Sequence, residues 1–234
     1  MKWKIPAVFF SLLIFGTMRA QMPGAGNCLS FNGMTDYVDC GLVNFGTSDF
    51  SSECWVNFSL PSPGTQGIMG NWVLGTPWPS YFYVVYGLLG STTLTAAFHR
   101  DGPAFNTYAS WNTGGTLTGW HHIATVYDRD GMMELYVDGI LRASASIAFA
   151  DGLTINSPAP FMIGSLGSGV ASFFGKIDEV RLWTKALTQA EIRDGMCRKL
   201  TGNENGLTGY WRFDSVSGTT AADSSPAGRT GTLN

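Results

Sequence analysis

Residues 119–144, GWHHIATVYDRDGMMELYVDGILRAS, read as strand, turn, strand, turn, and that order commits the middle of the chain to antiparallel β-structure. In a strand, alternate residues share a face. Trp120, His122, Ala124 and Val126 therefore line one face of the first strand, and Met133, Leu135 and Val137 line one face of the second. Asp128–Gly131 turns the chain between them. Asp138-Gly139 then makes a two-residue turn of the primed type, in which both residues take positive φ.

The same grammar runs through the rest of the chain. ECWVNFSL (53–60), PSYFYVVYG (79–87), TLTAAFHR (93–100), PFMIGS (160–165) and GKIDEVRLW (175–183) are strand-like and bounded by Gly, Pro, Asn or Asp. Short strands with turn signals about every 8–12 residues predict a two-sheet sandwich or jelly roll. Composition agrees: only 13% of residues are charged, 13% are aromatic and 30 are Gly, which suits many turns and few helices. One short helix is expected after the 175–183 strand. Thr188 and Glu191 form a capping box, and Gly195 is a stop.

The first twenty residues differ. Lys2 and Lys4 precede an apolar run, Pro6–Phe15, and small residues follow near Ala20. That is the plan of a secretory signal peptide, and the run is short for a membrane span. Cleavage after Ala20 would remove Lys2, Lys4 and Arg19, taking the net charge from −3 to −6. An acidic product without clustered Lys and Arg is a poor fit to nucleic acid. Export makes the four cysteines readable as disulfide candidates. A hairpin centred on Met34 would set Cys28 across from Cys40, leaving Cys54 with Cys197. The alternative is four reduced thiols serving as small apolar residues.

Three segments in order, CLSFNGMTDYVDCG, WHHIATVYDRDGMMELYVDG and GKIDEVRLWTKALTQAEI, resemble a laminin-G-like jelly roll of the concanavalin A-like lectin and glucanase superfamily. The resemblance spans about residues 27–195. It implies two antiparallel sheets, one of them concave, and a non-catalytic role in recognition or adhesion, with calcium at one edge of the sandwich. Residues 201–234 are a Gly/Ser/Thr-rich tail resembling the lead-in to a further domain, with one strand-like piece, Leu207–Phe213, that can instead pair back. The leader resembles those of exported bacterial proteins.

Chemistry narrows the function. Related glucanases carry Glu-x-Asp-x-x-Glu, absent here, as are His-Glu-x-x-His and Cys-x-x-Cys. Asp178 and Glu179 are strand neighbours, expected on opposite faces, so they do not form a glycosidase pair. If Val180 and Leu182 face the core, Asp178 faces the same way at its rim. It then needs a metal, an Arg or backbone N–H groups. The metal reading combines Asp178 and Asp36 with carbonyls near Asn32 and Gly33 around a calcium ion. Glu179 is expected outside, beside Arg181. His122 is expected as a core histidine, and Glu134 and Tyr136 on the outer face of their strand.

Aromatic loop residues near polar groups suit sugar recognition. The candidates are Trp72, Trp78 and Tyr81 in NWVLGTPWPSYFY, His99 and Arg100 with Asp101, and Tyr108 and Trp111 in YASWN. Each Trp can instead cap the end of the core. The sequence thus predicts an exported recognition module for carbohydrate. A protein-binding adhesion domain and an accessory domain of a polysaccharide-degrading enzyme are the alternatives.

Overall fold

The computed structural model describes residues 26–234 except 60–63, 73–80, 87–91, 100–105, 156 and 168–169, and omits the side chains of 81, 83, 85, 86 and 216. The leader segment 1–20 lies outside the described residues. Fifteen strands and one helix follow. The strands are β1 (Leu29–Asn32), β2 (Val38–Leu42), β3 (Phe50–Phe58), β4 (Gln66–Gly70), β5 (Tyr81–Tyr86), β6 (Thr93–His99), β7 (Asn106–Asn112) and β8 (Trp120–Tyr127). Then come β9 (Met132–Val137), β10 (Ile140–Ser146), β11 (Pro160–Ile163), β12 (Phe174–Trp183), helix α1 (Gln189–Gly195), β13 (Leu207–Ser217), β14 (Thr220–Asp223) and β15 (Gly231–Leu233).

All pairings are antiparallel, as a jelly-roll sandwich requires. The first sheet runs β10-β9-β8-β3-β12, and the second runs β2-β11-β4-β5-β6-β7. β13, β14 and β15 bridge them, leading from β12 to β2. The inner faces meet in one core. Cys54, Val56, Ile123, Met133, Leu135, Val137, Ile177, Val180 and Leu182 come from the first sheet, and Phe82, Val84, Leu94, Ala96, Phe98, Phe161 and Ile163 from the second. Phe50 stacks between Phe45 and Tyr127, each 4.2 Å away between ring centroids. Each such buried side chain contributes about 1.5–3 kcal/mol of transfer free energy.

The hairpin expected at 138–139 forms: Asp138 has φ 53° and Gly139 φ 69°. A Cβ on Gly139 would lie 2.7 Å from Arg193 Cγ, so glycine also makes room for α1. Thr188 accepts the Glu191 N–H, and Glu191 returns to the Thr188 N–H, completing the capping box. The helix lies on the outer face of the first sheet. Ile192, Leu187, Leu200 and Tyr210 pack there against Ala124, Val126, Tyr136 and Trp183.

Three expectations are corrected. β1 does not fold back on β2; it pairs with β12, while β2 pairs with β11 and β15. Cys28 and Cys40 are therefore not cross-strand neighbours, and none of the four cysteines is in a disulfide. The helix follows the 175–183 strand as expected, and three more strands come after it. The tail is not set apart at residue 200: β13 pairs with β12, and Trp211 is fully buried in the main core, 5.8 Å from Phe161. Among the described residues, no helix is long and apolar enough to cross a membrane.

Two variants test the tail's role. Trp211→Ala should cost about 3–5 kcal/mol in urea unfolding. A chain ending at Leu200, which loses β13–β15, should show no cooperative thermal transition by circular dichroism.

Candidate functional site

Two outer faces could carry chemistry, and their residues differ in kind. On the first sheet, β12 breaks its alternation. Asp178 opposes Trp55, but Arg181 opposes Glu53, so β12 holds one extra residue there. The extra residue is a β-bulge, with Glu179 at φ 52°. The bulge leaves Asp178, Glu179 and Arg181 on the outer side while Ile177, Val180 and Leu182 face in. Expectation had Asp178 turned to the core side and Glu179 solvated. Instead both are buried, at 4% and 8% exposure, beneath the segment that follows α1.

Each acid there is occupied. Glu179 accepts from Arg181 Nη2 at 2.9 Å and from the Tyr210 hydroxyl at 2.5 Å. Asp178 Oδ1 accepts the Glu179 N–H at 2.9 Å, the backbone alternative to a metal. Arg181 Nη1 also meets Glu53 at 3.3 Å, and the guanidinium donates to the carbonyls of Gly195 and Arg198. His122 is the expected core histidine, with Nε2 3.4 Å from Glu53. Glu134 and Tyr136 lie on the outer face as expected, but Tyr136 is covered in the α1 cluster and donates to Glu134 at 2.7 Å. Asp178 and Glu179 are buried and hydrogen-bonded within the fold.

The residues expected to hold calcium do not fit that ion. Asn32, Gly33 and Asp36 share one turn that closes on itself. Asn32 N donates to Asp36 Oδ2 at 2.9 Å and Asn32 Nδ2 to Asp36 Oδ1 at 2.7 Å. Asn32 opposes Phe174 in the ladder. Asp178 is four residues further along β12, roughly 13 Å at strand spacing. Among the described residues, no three His, Cys, Asp or Glu side chains are grouped to hold a metal.

The outer face of the second sheet is different. Leu94, Ala96 and Phe98 of β6 point into the core, so Thr95, Ala97 and His99 point outward. On β7, Ala109 points in, and Tyr108 and Ser110 point out. Register sets His99 opposite Asn106, Ala97 opposite Tyr108 and Thr95 opposite Ser110. His99 Nδ1 lies 2.5 Å from Asn106 Oδ1; an amide oxygen only accepts, so Nδ1 carries the proton. Burial pushes the His99 imidazole down to about 4, against the opposing pull of Asn106, and keeps it neutral at ordinary pH. Tyr108, 45% exposed, meets the His99 ring edge-to-face at 5.3 Å. The Thr95 and Ser110 hydroxyls are 2.9 Å apart.

Trp72 borders this face. It packs on Ala97 and Leu166, and the preceding Asn71 is fixed through its bonds with Phe82. Trp78, Arg100 and Asp101 lie outside the described residues. Tyr81 stands opposite His99 in the β5–β6 ladder, and its side chain lies outside them as well. Trp111 does not join the group. Three residues from Tyr108, it takes the opposite side of β7, packs against the core and sits beneath the Arg142 guanidinium at 4.6 Å. It caps the core, as its alternative reading had it. Asn106, Thr95 and Ser110 were not singled out in the sequence. Alternation away from the inward Ala109 and Ala96 was the available signal.

One consequence concerns pH. Burial, with Glu179 and Asp214 nearby, pushes the Asp178 carboxyl up to about 7. An acid raised in the folded state adds stability that is complete below its unfolded value and lost as pH rises through 7. Asp178→Asn keeps the acceptor and removes that loss. The variant should gain about 1–3 kcal/mol over the parent at pH 8 and little at pH 4, read from urea midpoints.

Comparisons with known proteins agree with this architecture. A putative carbohydrate binding protein from Bacteroides ovatus superposes with a TM-score of 0.67 at 22% identity, covering 89% of this chain and 58% of that one. Domain 4 of an extracellular arabinanase from Geobacillus stearothermophilus, in complex with arabinotriose, gives 0.52 at 21% identity, covering 75% and 78%. The adhesion G-protein coupled receptor V1 of Danio rerio is 23% identical over 181 residues, which is 74% of this chain and 3% of the receptor. The family model for the concanavalin A-like lectin/glucanases superfamily, in its laminin-G-like form, matches residues 32–193, and the chain belongs to that family.

Proposed function

We propose that this chain is an exported, non-catalytic recognition module that binds a carbohydrate on the outer face of β6 and β7. The observation that carries this reading is the His99–Asn106–Tyr108 group beside the Thr95–Ser110 hydroxyl pair. The exposed Tyr108 ring offers a surface for sugar C–H groups and the accessible Asn106 amide and Ser110 hydroxyl suit sugar hydroxyls, while the buried His99 and Thr95 hold these groups in place. The described residues of this face include no carboxylate, so it offers a sugar binding contacts and no acid pair for cleavage. Similarity to a putative carbohydrate binding protein and to an arabinotriose-bound domain supports the same reading. Likeness to an adhesion receptor favours a second one, in which the partner is a cell-surface protein.

A glycan array that includes arabinan fragments and sialylated glycans, probed in calcium and in EDTA, tests the proposal. Binding should persist in EDTA, because the described residues of this face include no carboxylate. Tyr108→Ala and Asn106→Ala should each weaken the strongest hit about tenfold, equivalent to about 1.4 kcal/mol. Trp111→Ala should lower stability more than affinity. Silence on every glycan, with the fold intact, would reject carbohydrate and favour the protein partner.

A further inference from the structure

β1 and β13 lie end to end along the same side of β12: β1 opposes residues 174–177, and β13 opposes residues 180–183. They meet at the Asp178–Glu179 bulge. Asn27 Nδ2 donates to the Asp214 carbonyl at 3.0 Å, tying the start of β1 to β13. The Asp214 carboxylate takes Lys199 Nζ at 2.5 Å. Cys28 follows Asn27, and Cys197 stands two residues before Lys199. Cys197 also borders one groove with Trp55, Glu179 and Lys199, and Trp55 Nε1 holds the Met196 carbonyl at 2.7 Å. Two cysteines separated by most of the chain thus flank the same bulge.

The other two have no such route to each other. Cys40 is on β2 and Cys54 on β3, strands of facing sheets, and both are buried in the core. Facing sheets stand about 10 Å apart, beyond the roughly 4.4–6.8 Å between Cα atoms that a disulfide needs.

We propose that Cys28 and Cys197 are an oxidisable pair, closing to a disulfide when the chain meets a disulfide oxidant, and that Cys40 and Cys54 stay as core thiols. The exposed Cys197 reacts first. Its thiolate attacks one sulfur of the oxidant, glutathione disulfide for instance, and one glutathione leaves as thiolate. The Cys28 thiolate then attacks the Cys197 sulfur of the mixed disulfide and expels the glutathione bound there. Two protons from the protein thiols balance the two thiolates released. The chain segment at 196–199 makes the closing movement, since it belongs to no strand. The link staples β1 to the segment that covers the first sheet's outer face.

The test uses the full chain, reduced and then held in glutathione disulfide at pH 8, alkylated and mapped by chymotryptic peptides. The expected product is a peptide pair joined through Cys28 and Cys197, two hydrogens lighter than the reduced pair. Cys40 and Cys54 should alkylate only after denaturation. Oxidation should raise the Tm by about 5–10 °C, reversed by reductant, and neither Cys28→Ser nor Cys197→Ser should show the rise. The double variant Cys40→Ala, Cys54→Ala should still form the link. Recovery of Cys28 and Cys197 on separate alkylated or glutathionylated peptides, or of Cys28 joined to Cys40, would overturn the proposal.

Discussion

The guanidinium of Arg181, almost fully buried, ties together three parts of this fold. It reaches Glu53 on β3, Glu179 on its own strand, and the carbonyls of Gly195 and Arg198 at and beyond the end of α1. Burying a charge is costly unless its partners are present and aligned. Here they come from one strand pair and from the segment that covers it. The charge is satisfied only when β12, β3 and the α1 region are all in place. Removing one partner of such a set costs about 3–5 kcal/mol, because the remaining charge is then stranded. The network therefore favours one arrangement of the helix over the sheet, where apolar contacts alone would tolerate small slides.

The bulge at Glu179 makes that network possible. A residue other than glycine at φ 52° is held in a sparsely populated region. In return the bulge shifts the register by one, so that Arg181 comes opposite Glu53. Without the extra residue, Ile177 facing in would force Arg181 to face in too. A charge would then replace an apolar residue in the core, and Val180 and Leu182 would turn outward. The strain is local, and the alternative would be worse along the whole strand.

What was legible in the sequence follows from range. The 119–144 hairpin, the Asp138-Gly139 turn and the Thr188 capping box depend on neighbours a few residues away, and all formed as read. The bulge did not announce itself, because strict alternation was assumed through Asp178 and Glu179. The partner of β1 lies about 145 residues downstream, and no local rule distinguishes β12 from β2 as that partner. At the candidate binding face, segments were legible but sides were not. Tyr108 and Trp111 were grouped as one aromatic cluster, although an odd spacing puts them on opposite faces of a strand. His99 and Tyr108 belong together because β6 and β7 pair in one register, and register is a property of two strands.

The two outer faces divide labour by how they treat polar groups. On the first sheet, charged side chains are buried under a cover and paired mainly within the chain, Arg181 with Glu53 and Glu179, while Glu53 Oε2 and Arg181 Nε have no hydrogen-bond partner. On the second, the polar groups along β6 and β7 are neutral: a buried imidazole kept uncharged by that burial and a buried Thr95 hydroxyl lie beneath the more exposed Asn106, Ser110 and Tyr108. Neutral groups lose less free energy than ions when a ligand displaces their water. His99, held down to about 4 by burial, stays uncharged between about pH 5 and 8. Under the proposed function, a face covered and uncovered by a polyhydroxylated partner would gain from that reversibility. The charges that would resist repeated desolvation are placed on the opposite sheet, where they are covered once, during folding.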